Sequence, residues 1–244
     1  MKGTVLVTGA SRGIGAAAAR LFAQEGYHVA VNYCRSRERA EALVRDLQNS
    51  HFSAQAFQAD VSDRAQVERM VEETARAFGG IDVLVNNCGV ARQKLFTDLT
   101  EEEWDRMFAV NMKSMFHCCQ CVLPFMLRRR RGAIVNLSSI WGLAGASCEV
   151  HYSASKAAVI GFTKALAKEV GLNGITVNCV APGVVDTEMN AALSKDDLEA
   201  LKEETPLARI GTAEEIAQAI LFLAGEKARF ITGQVLSPNG GIVI

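Results

Sequence analysis

The chain has 244 residues, and 26 Lys and Arg stand against 27 Asp and Glu, so the formal net charge is −1. This balance excludes a nucleic-acid binder that works by bulk electrostatics and gives no polybasic membrane address. Hydrophobic residues make up 49% and charged residues 22%, which excludes a disordered chain. No apolar run reaches the roughly 20 residues that cross a bilayer. Without a signal peptide, the seven scattered cysteines indicate reduced thiols and a cytoplasmic protein.

Strand-like and helix-like segments alternate along the chain, which is typical of a parallel sheet covered by helices. The predicted strands lie at 4–8, 28–32, 54–58, 81–86, 133–137, 175–180 and near 235. The predicted helices lie at 13–25, 36–48, 62–78, from 101, 111–129, 152–170 and from 212. The prediction is an α/β protein with a doubly wound Rossmann fold. It is one domain with a mostly parallel sheet of about seven strands and helices on both faces.

The first strand-turn-helix carries three glycines, Gly9, Gly13 and Gly15. In a dinucleotide-binding turn these residues allow a tight turn, a close approach to the pyrophosphate and tight helix packing. The same letters match a hydrolase nucleophile elbow, but that motif does not belong on a first strand. A P-loop is excluded, because Gly15 is followed by Ala16 and not by the Lys-Ser/Thr that ends that motif. A plain glycine-rich turn that binds no ligand is the remaining alternative.

Charge at the end of the second strand favours NADP(H) over NAD. An NAD enzyme usually has a carboxylate there for the ribose hydroxyls. This chain has Asn32, and the first carboxylate is Glu38. Arg12 and Arg35 are therefore expected to bind a 2′-phosphate. The alternative is that both arginines simply face solvent.

Tyr152 and Lys156 are spaced four residues apart, so they share one face of a helix. A neighbouring ammonium is expected to lower the pKa of a phenol toward the working range. A tyrosine and a lysine at this spacing, with no other motif nearby, more often lie on the solvent-exposed surface of a helix. Ser139 after the fifth strand and Asn111 before a long helix add polar groups near the expected ligand-binding edge.

The chain resembles the short-chain dehydrogenase/reductase family over residues 3–241. Within that family it is most similar to the 3-oxoacyl-[acyl-carrier-protein] reductase group. The resemblance rests on the glycine turn, Asp60-Val61, Asn86-Asn87-Cys88-Gly89, Asn111, Ser139, Tyr152 with Lys156, and Pro182-Gly183 with Thr187.

The resemblance implies reduction of a carbonyl by NADPH. In this scheme Tyr152 donates a proton to the carbonyl oxygen and Ser139 hydrogen-bonds that oxygen. Lys156 holds the nicotinamide ribose and lowers the pKa of the tyrosine, while Asn111 supports a water that relays protons. The hydride comes from the cofactor.

The resemblance also implies binding residues and an assembly. Cofactor contacts are expected at Gly9, Ser11, Arg12, Gly13, Ile14, Gly15, Asn32, Arg35, Asp60, Val61, Asn87, Cys88, Gly89, Tyr152, Lys156, Pro182, Gly183, Val185 and Thr187. Substrate contacts are expected at Ser139, Trp141, Glu149 and Tyr152, and no metal site is expected. Residues 184–205 are expected to form a substrate-binding lid. The expected assembly is a homotetramer, and the small carbonyl substrate is expected to be carried on acyl carrier protein.

Several features depart from the family pattern or have two interpretations. Cys88 replaces a usual alanine, and Ser237-Pro238-Asn239-Gly240-Gly241 lacks a usual aspartate. Asn173 replaces a basic residue, which weakens the argument for carrier-protein docking. The run 128–131 of four arginines is either a solvated helix end or a docking patch for an acidic carrier. His117 and the cysteines at 118, 119 and 121 are core residues in preference to metal ligands.

Two other functions remain open from the sequence. A sugar, polyol or small-alcohol dehydrogenase of the same family would use the same catalytic groups. A dinucleotide-sensing protein without turnover would be expected to lose Tyr152 or Lys156, and both are present.

Overall fold

The computed structural model describes residues 2–188 and 194–244. The described strands are β1 (Thr4–Val7), β2 (His28–Tyr33), β3 (Ala54–Gln58), β4 (Val83–Asn86), β5 (Gly132–Leu137), β6 (Ile175–Val180) and β7 (Val235–Leu236). The described α-helices are α1 (Gly13–Gln24), α2 (Arg37–Asn49), α3 (Arg64–Phe78), α4 (Glu101–Phe108), α5 (Ser114–Arg129), α6 (Trp141–Ala144), α7 (Val150–Val170), α8 (Lys195–Glu204) and α9 (Ala213–Ala224). Short 3₁₀ turns lie at Phe96–Asp98, Gly171–Asn173 and Glu226–Ala228.

The seven strands form one parallel sheet in the order β3-β2-β1-β4-β5-β6-β7. The chain moves outward from β1 to β3 and then crosses back to place β4 beside β1. The strand order therefore reverses between β1 and β4, and open α/β sheets bind ligands at the carboxyl ends of the strands at such a point. The predicted doubly wound Rossmann fold is confirmed.

Each face of the sheet is covered by its own set of helices. Helices α1, α2 and α9 cover one face, with Phe22, Leu43 and Ile220 in its core. Helices α3, α5 and α7 cover the other, where Met70 and Val122 are fully buried. Five of the strands, β1, β2, β4, β5 and β6, are almost wholly buried, as expected for a sheet covered on both sides.

Several helices differ from the prediction, among them the short α6, which was not predicted. Helix α7 begins at Val150, two residues before the predicted start. The predicted helix from Asn111 is continuous with α4 through a π-helical turn, Ala109–Lys113. Helix α8 was not predicted. It begins with a capping box between Ser194 and Asp197, within a region that lacks hydrophobic periodicity.

The arginine run 128–131 joins α5 to β5 and therefore lies at the amino end of the sheet. Arg129 pairs with Asp82 at 2.8 Å, and Arg130 donates to the Leu172 carbonyl. Arg131 is ion-paired with Glu226. These contacts agree with a helix end held in place by its own neighbours, while the pocket described below lies at the opposite edge.

Among the described residues, no helix is long and apolar enough to span a membrane. His117 of α5 contacts the Val61 carbonyl through Nδ1, and Cys118 and Cys119 are buried in the core. No group of three possible metal ligands comes together within residues 2–188 and 194–244.

Candidate active site

The turn after β1 is shaped for a close ligand. Gly9 and Gly13 have φ values of +63° and +54°, a region that side chains other than glycine rarely adopt. A Cβ on Gly15 would lie 2.6 Å from both the Asn87 amide nitrogen and the Gly9 carbonyl oxygen. The helix therefore packs directly on the turn, and its N-terminal N–H groups face the end of the sheet.

Asn87 connects β4 to this turn. Its Nδ2 donates to the carbonyls of Thr8 and Gly9 at 2.9 and 3.1 Å. The Thr8 hydroxyl accepts from the backbone N–H groups of Asn87 and Cys88. The two strands on either side of the sheet reversal are thus tied together by side chains as well as by the ladder.

The side chain of Asn32 is buried at the end of β2. Its Oδ1 accepts from the Gly9 N–H at 3.1 Å, and its Nδ2 donates to the Ala59 carbonyl at 3.2 Å. Asn32 therefore orders the turn from behind. The adjacent Cys34 and Arg35 are exposed at the same strand end.

Asp60 lies at the same edge, after β3. Its Oδ1 accepts from the Ser62 N–H at 2.9 Å and from the Ser62 hydroxyl at 2.6 Å. Burial raises the pKa of this carboxyl, but the bonds from Ser62 outweigh that effect and leave the pKa below its ordinary value. Asp60 is therefore ionised at neutral pH, and Val61 beside it is buried.

A cavity of about 490 Å³ opens at the carboxyl edge of the sheet beside this turn. Its lining includes twelve predicted site residues: Ile14, Asn87, Gly89, Ser139, Trp141, Glu149, Tyr152, Lys156, Pro182, Gly183, Val185 and Thr187. Two further lining residues, Val184 and Asp197, belong to the segment 184–205 that was predicted as a lid. The other six were not predicted: Ala91, Arg92, Gln93, Leu137, Ser138 and Ile140. The remaining predicted cofactor residues lie outside this lining: Gly9, Ser11, Arg12, Gly13, Gly15, Asn32, Arg35, Asp60, Val61 and Cys88.

Tyr152 and Ser139 meet inside the cavity. Tyr152 is 8% exposed, and its hydroxyl is hydrogen-bonded to Ser139. Burial raises the pKa of Tyr152 to about 12, the Ser139 bond opposes this rise, and the negative charge of Glu149 adds to it. The expectation from the sequence that the pKa of Tyr152 is lowered is therefore wrong, because burial outweighs the Ser139 bond.

Lys156 lies one helical turn from Tyr152, as the spacing predicts. Its Nζ is 5.8 Å from the centre of the Tyr152 ring and donates to the Leu137 carbonyl at 2.8 Å. Burial lowers the pKa of Lys156 to about 8. An ammonium has three donors, so within the described part of the chain the Leu137 bond leaves two of them for a ligand in the cavity.

Asn111 lies behind the cavity in the π-helical turn and is fully buried. Its Oδ1 accepts from the Val90 N–H at 2.8 Å, and its Nδ2 donates to the Val90 carbonyl and to the Ser155 hydroxyl. A Cβ on Gly89 would lie 3.2 Å from Lys156 Nζ and 3.4 Å from Asn111 Oδ1. Asn111 therefore fixes the loop after β4 close to the lysine. Single π-turns of this kind are frequent at functional sites.

The wall opposite the glycine turn is formed by Trp141 and Glu149. Glu149 is 9% exposed and accepts a hydrogen bond from Gln93 Nε2 at 3.3 Å. Burial raises the pKa of this carboxyl. Gln93 and Arg92 could have been found in the sequence, because they follow the Asn86–Gly89 segment directly and therefore extend from the same strand end.

A family model described as enoyl-(acyl carrier protein) reductase matches residues 9–243. The 3-oxoacyl-[acyl-carrier-protein] reductase of Staphylococcus aureus (strain Mu50 / ATCC 700699) is 47% identical over 99% of this chain and 98% of its own. That of Thermotoga maritima is 43% identical over 98% and 97%, and that of Chlamydia muridarum is 44% identical over 97% and 96%. The chain belongs to the short-chain dehydrogenase/reductase family. The resemblance seen in the sequence is thereby confirmed.

As a short-chain dehydrogenase/reductase, this oxidoreductase should accommodate a nicotinamide dinucleotide, and its described residues fit one. Gly9, Gly13 and Gly15 put no side chain of their own on the turn where a pyrophosphate would bind. Lys156 has free donors for ribose hydroxyls, and Asp60 is ionised beside the position expected for adenine. Cys88 fits where the family has alanine, since it is partly buried and its sulfur packs against Gly9.

The C-terminal departure from the family pattern is structural in this protomer. Asn239 Nδ2 donates to the Ser237 hydroxyl at 3.0 Å and to the Val243 carbonyl at 2.7 Å. Its Oδ1 accepts from the Gly241 N–H at 2.7 Å. A Cβ on Gly183 would lie 2.8 Å from the Asn239 Cα, so this turn supports the Pro182-Gly183 wall of the cavity.

Proposed function

We propose that this protein reduces the ketone of a 3-oxoacyl thioester to a 3-hydroxyacyl thioester in fatty acid synthesis, with NADPH as reductant. The observation that carries the proposal is the meeting of Ser139, Tyr152 and Lys156 in one cavity beside the dinucleotide-binding turn. The names of the full-length relatives support the substrate class.

NADPH supplies the hydride when it is bound. Tyr152, which keeps its proton up to high pH, donates that proton to the carbonyl oxygen. Ser139 hydrogen-bonds the same oxygen and orients the ketone. Lys156 holds ribose hydroxyls through its unused donors, and its positive charge stabilises the phenolate that the proton transfer leaves behind. Asn111 positions the loop that borders Lys156 and supports a water that returns protons to it.

Cofactor binding extends from the cavity to the adenosine end. Gly9, Ser11, Gly13 and Gly15 receive the pyrophosphate, with Ile14 beside it. Asp60 and Val61 contact the adenine. Arg12 and Arg35 bind the 2′-phosphate of NADP(H), because no carboxylate stands at the end of β2. The remaining contacts are assigned to Asn32, Asn87, Cys88, Gly89, Pro182, Gly183, Val185 and Thr187.

Residues 184–205 form the lid over the substrate in this proposal. Val185, Thr187 and Asp197 line the cavity from the two described ends of that segment, and 189–193 lie outside the described residues. Trp141 and Glu149 complete the substrate wall. The protein acts in the cytoplasm on a substrate that is bound to acyl carrier protein.

A homotetramer is proposed for the assembly. Large apolar side chains are exposed on elements far apart in the chain, including Phe116 on α5, Phe222 on α9 and Phe230 just before β7. We take these exposed aromatic side chains as the candidate contacts between subunits, because aromatic residues are enriched at interfaces.

The activity is tested by following NADPH oxidation with acetoacetyl-acyl carrier protein, acetoacetyl-coenzyme A, crotonyl-acyl carrier protein and a panel of sugars, polyols and small ketones. We expect acetoacetyl-acyl carrier protein to be the best substrate, and Tyr152→Phe to lower kcat about 10²–10⁴-fold without loss of NADPH binding. Reduction of the crotonyl thioester alone would indicate an enoyl reductase. Turnover of a polyol alone would indicate a small-alcohol dehydrogenase, and binding without turnover would indicate a dinucleotide sensor.

A further inference from the structure

Three charged side chains from distant parts of the chain meet beside the glycine turn. Glu188 Oε1 and Oε2 each lie 2.6 Å from Arg39 Nη1, and Oε2 lies 3.2 Å from Arg12 Nη1. The Arg39 hydrogen bond lowers the pKa of Glu188, and the positive charges of both arginines add to that effect. One carboxylate therefore neutralises two guanidinium groups.

The position of this cluster relates it to the cofactor. Arg12 is the N-cap of α1, immediately next to the pyrophosphate turn. Arg39 lies in the first turn of α2, which follows β2 and the strand end where ribose hydroxyls are bound in this fold. Thr187, which precedes Glu188, lies over the turn: a Cβ on Gly13 would be 3.5 Å from Thr187 Cγ2. The carboxylate thus stands at the edge of the turn, between the two elements that border an adenosine ribose.

We propose that Glu188 is an internal counter-anion of the 2′-phosphate site. It occupies Arg12 and Arg39 until the phosphate of NADP(H) displaces it, and Arg39 is consequently a specificity-determining residue for that phosphate. This inference rests on the proposed use of NADP(H) and adds to it a cation that sequence reading did not select and a carboxylate that competes with the ligand.

Charge and geometry explain why the exchange favours a phosphate. Arginine binds carboxylates and phosphates with the same planar set of N–H donors. A phosphate monoester carries up to two negative charges, compared with one on Glu188. If Glu188 stayed in place, its charge would repel the phosphate at close range. NAD(H) has a hydroxyl at this position and does not displace the carboxylate, so Glu188 weakens the binding of NADP(H) and leaves that of NAD(H) nearly unaffected.

The effects should be modest, because all three side chains are about half exposed and exposed ion pairs contribute little. Glu188→Gln keeps the shape of the side chain and removes its charge. We expect this variant to lower the Kd for NADPH about two- to fivefold and to change the Kd for NADH by less than half that factor. Arg39→Gln should raise the Kd for NADPH at least about threefold and leave the Kd for NADH unchanged.

Matched controls are available on α2. Arg37 and Glu41 form an i, i+4 pair with Arg37 Nε 2.7 Å from Glu41 Oε1. Arg37→Gln and Glu41→Gln change the net charge by the same amounts on the same helix. Kd values measured by calorimetry for NADPH, NADH, 2′,5′-ADP and 5′-AMP then separate a specific contact from the general electrostatic field.

The test has distinguishable outcomes. The double variant Glu188→Gln, Arg39→Gln should show less than the sum of the two effects, because the residues share one contact. An equal gain for NADH and NADPH in Glu188→Gln, or no gain for either, would overturn the counter-anion proposal. Equal effects of Arg39→Gln and Arg37→Gln would remove Arg39 from the site. If instead the unsubstituted protein preferred NADH, the proposed cofactor would be wrong, whatever the variants did.

Discussion

At the scale of single residues, burial sets the order in which the catalytic groups lose their protons. The pKa of Tyr152 is raised to about 12 and that of Lys156 is lowered to about 8. Lys156 therefore titrates first as the pH rises, and Tyr152 keeps its proton up to about pH 12. The spacing of the two residues was predictable, but the direction of the tyrosine shift was not, since it depends on how much solvent the folded chain excludes.

This order predicts the alkaline limb of the pH profile. The charged form of Lys156 is the one that binds and stabilises charge, and it is lost as the pH rises through about 8. We expect kcat/KM for ketone reduction to fall above about pH 8, with a limb that follows the pKa of Lys156. Lys156→Arg should move this limb to higher pH, because a guanidinium stays protonated. A limb that first appears near pH 10 in the unsubstituted protein would contradict the assignment.

At the scale of elements, the short helix α6 packs against α7 with no space to spare. A Cβ on Gly142 would lie 2.7 Å from both the Lys156 carbonyl carbon and the Ser138 Oγ. The Ser138 hydroxyl itself donates to the Lys156 carbonyl at 2.8 Å. The backbone that carries the catalytic lysine is thus positioned by contact with a glycine.

Gly142→Ala is therefore expected to displace Lys156. We expect kcat/KM to fall roughly 10–100-fold, since small displacements of catalytic groups have effects of this size, and the free energy of unfolding to drop about 1–3 kcal/mol. Gly161→Ala is the control, because a Cβ at that position of α7 meets nothing within 4 Å. It should leave activity unchanged and stabilise the protein by about 0.5–1 kcal/mol. Steady-state kinetics and urea unfolding measure both effects, and equal behaviour of the two variants would contradict the packing argument.

The elements also show how far local signals reach. The capping boxes at Thr100 and Thr212 predicted the starts of α4 and α9, and the structure confirms both. Ser194 and Asp197 form the same kind of capping box at the start of α8, a helix that was not predicted. The π-turn could not be predicted, since its residues follow an ordinary helical pattern and only the contacts of Asn111 with Val90 and the Ser155 side chain show what it positions.

Some site residues depend on contacts that no local pattern contains. Arg12 and Arg35 were predicted to bind the 2′-phosphate because they lie beside the glycine turn and the end of β2 in the sequence. Arg39 was missed because its partner, Glu188, lies 149 residues further along the chain. Gln93 follows a predicted strand end closely enough to have been a candidate, but its bond to Glu149 spans 56 residues and is visible only in the fold. Short motifs therefore predicted the residues to which we assign the reaction, while their supporting partners required the fold.

At the scale of the whole molecule, two separate surfaces expose aromatic side chains. Phe116 lies on α5 and is 43% exposed, and Phe230 precedes β7 at the edge of the sheet and is 103% exposed. In the proposed homotetramer these surfaces form two different interfaces, as a closed assembly with dihedral symmetry requires.

A charge at either surface should therefore produce dimers. We expect Phe116→Arg and Phe230→Arg each to halve the molar mass measured by size-exclusion chromatography with light scattering, because a charge without a partner at an interface is strongly unfavourable. Arg45→Glu, at an exposed position of α2, serves as the control and should leave the mass unchanged. A tetramer that persists in both phenylalanine variants would show that these surfaces are not the interfaces.

The bonds from Asn87 to the carbonyls of Thr8 and Gly9 affect the entropic cost of ligand binding. The Gly9 N–H also donates to Asn32 Oδ1 and the Ala10 N–H to the Asn32 carbonyl, so these bonds together fix the turn when the chain finishes folding. The glycine turn is therefore ordered before the dinucleotide binds, and binding should cost the protein little conformational entropy. In the variant Asn87→Ala the turn would become ordered only when the dinucleotide binds. We expect calorimetry to show a less favourable binding entropy for this variant.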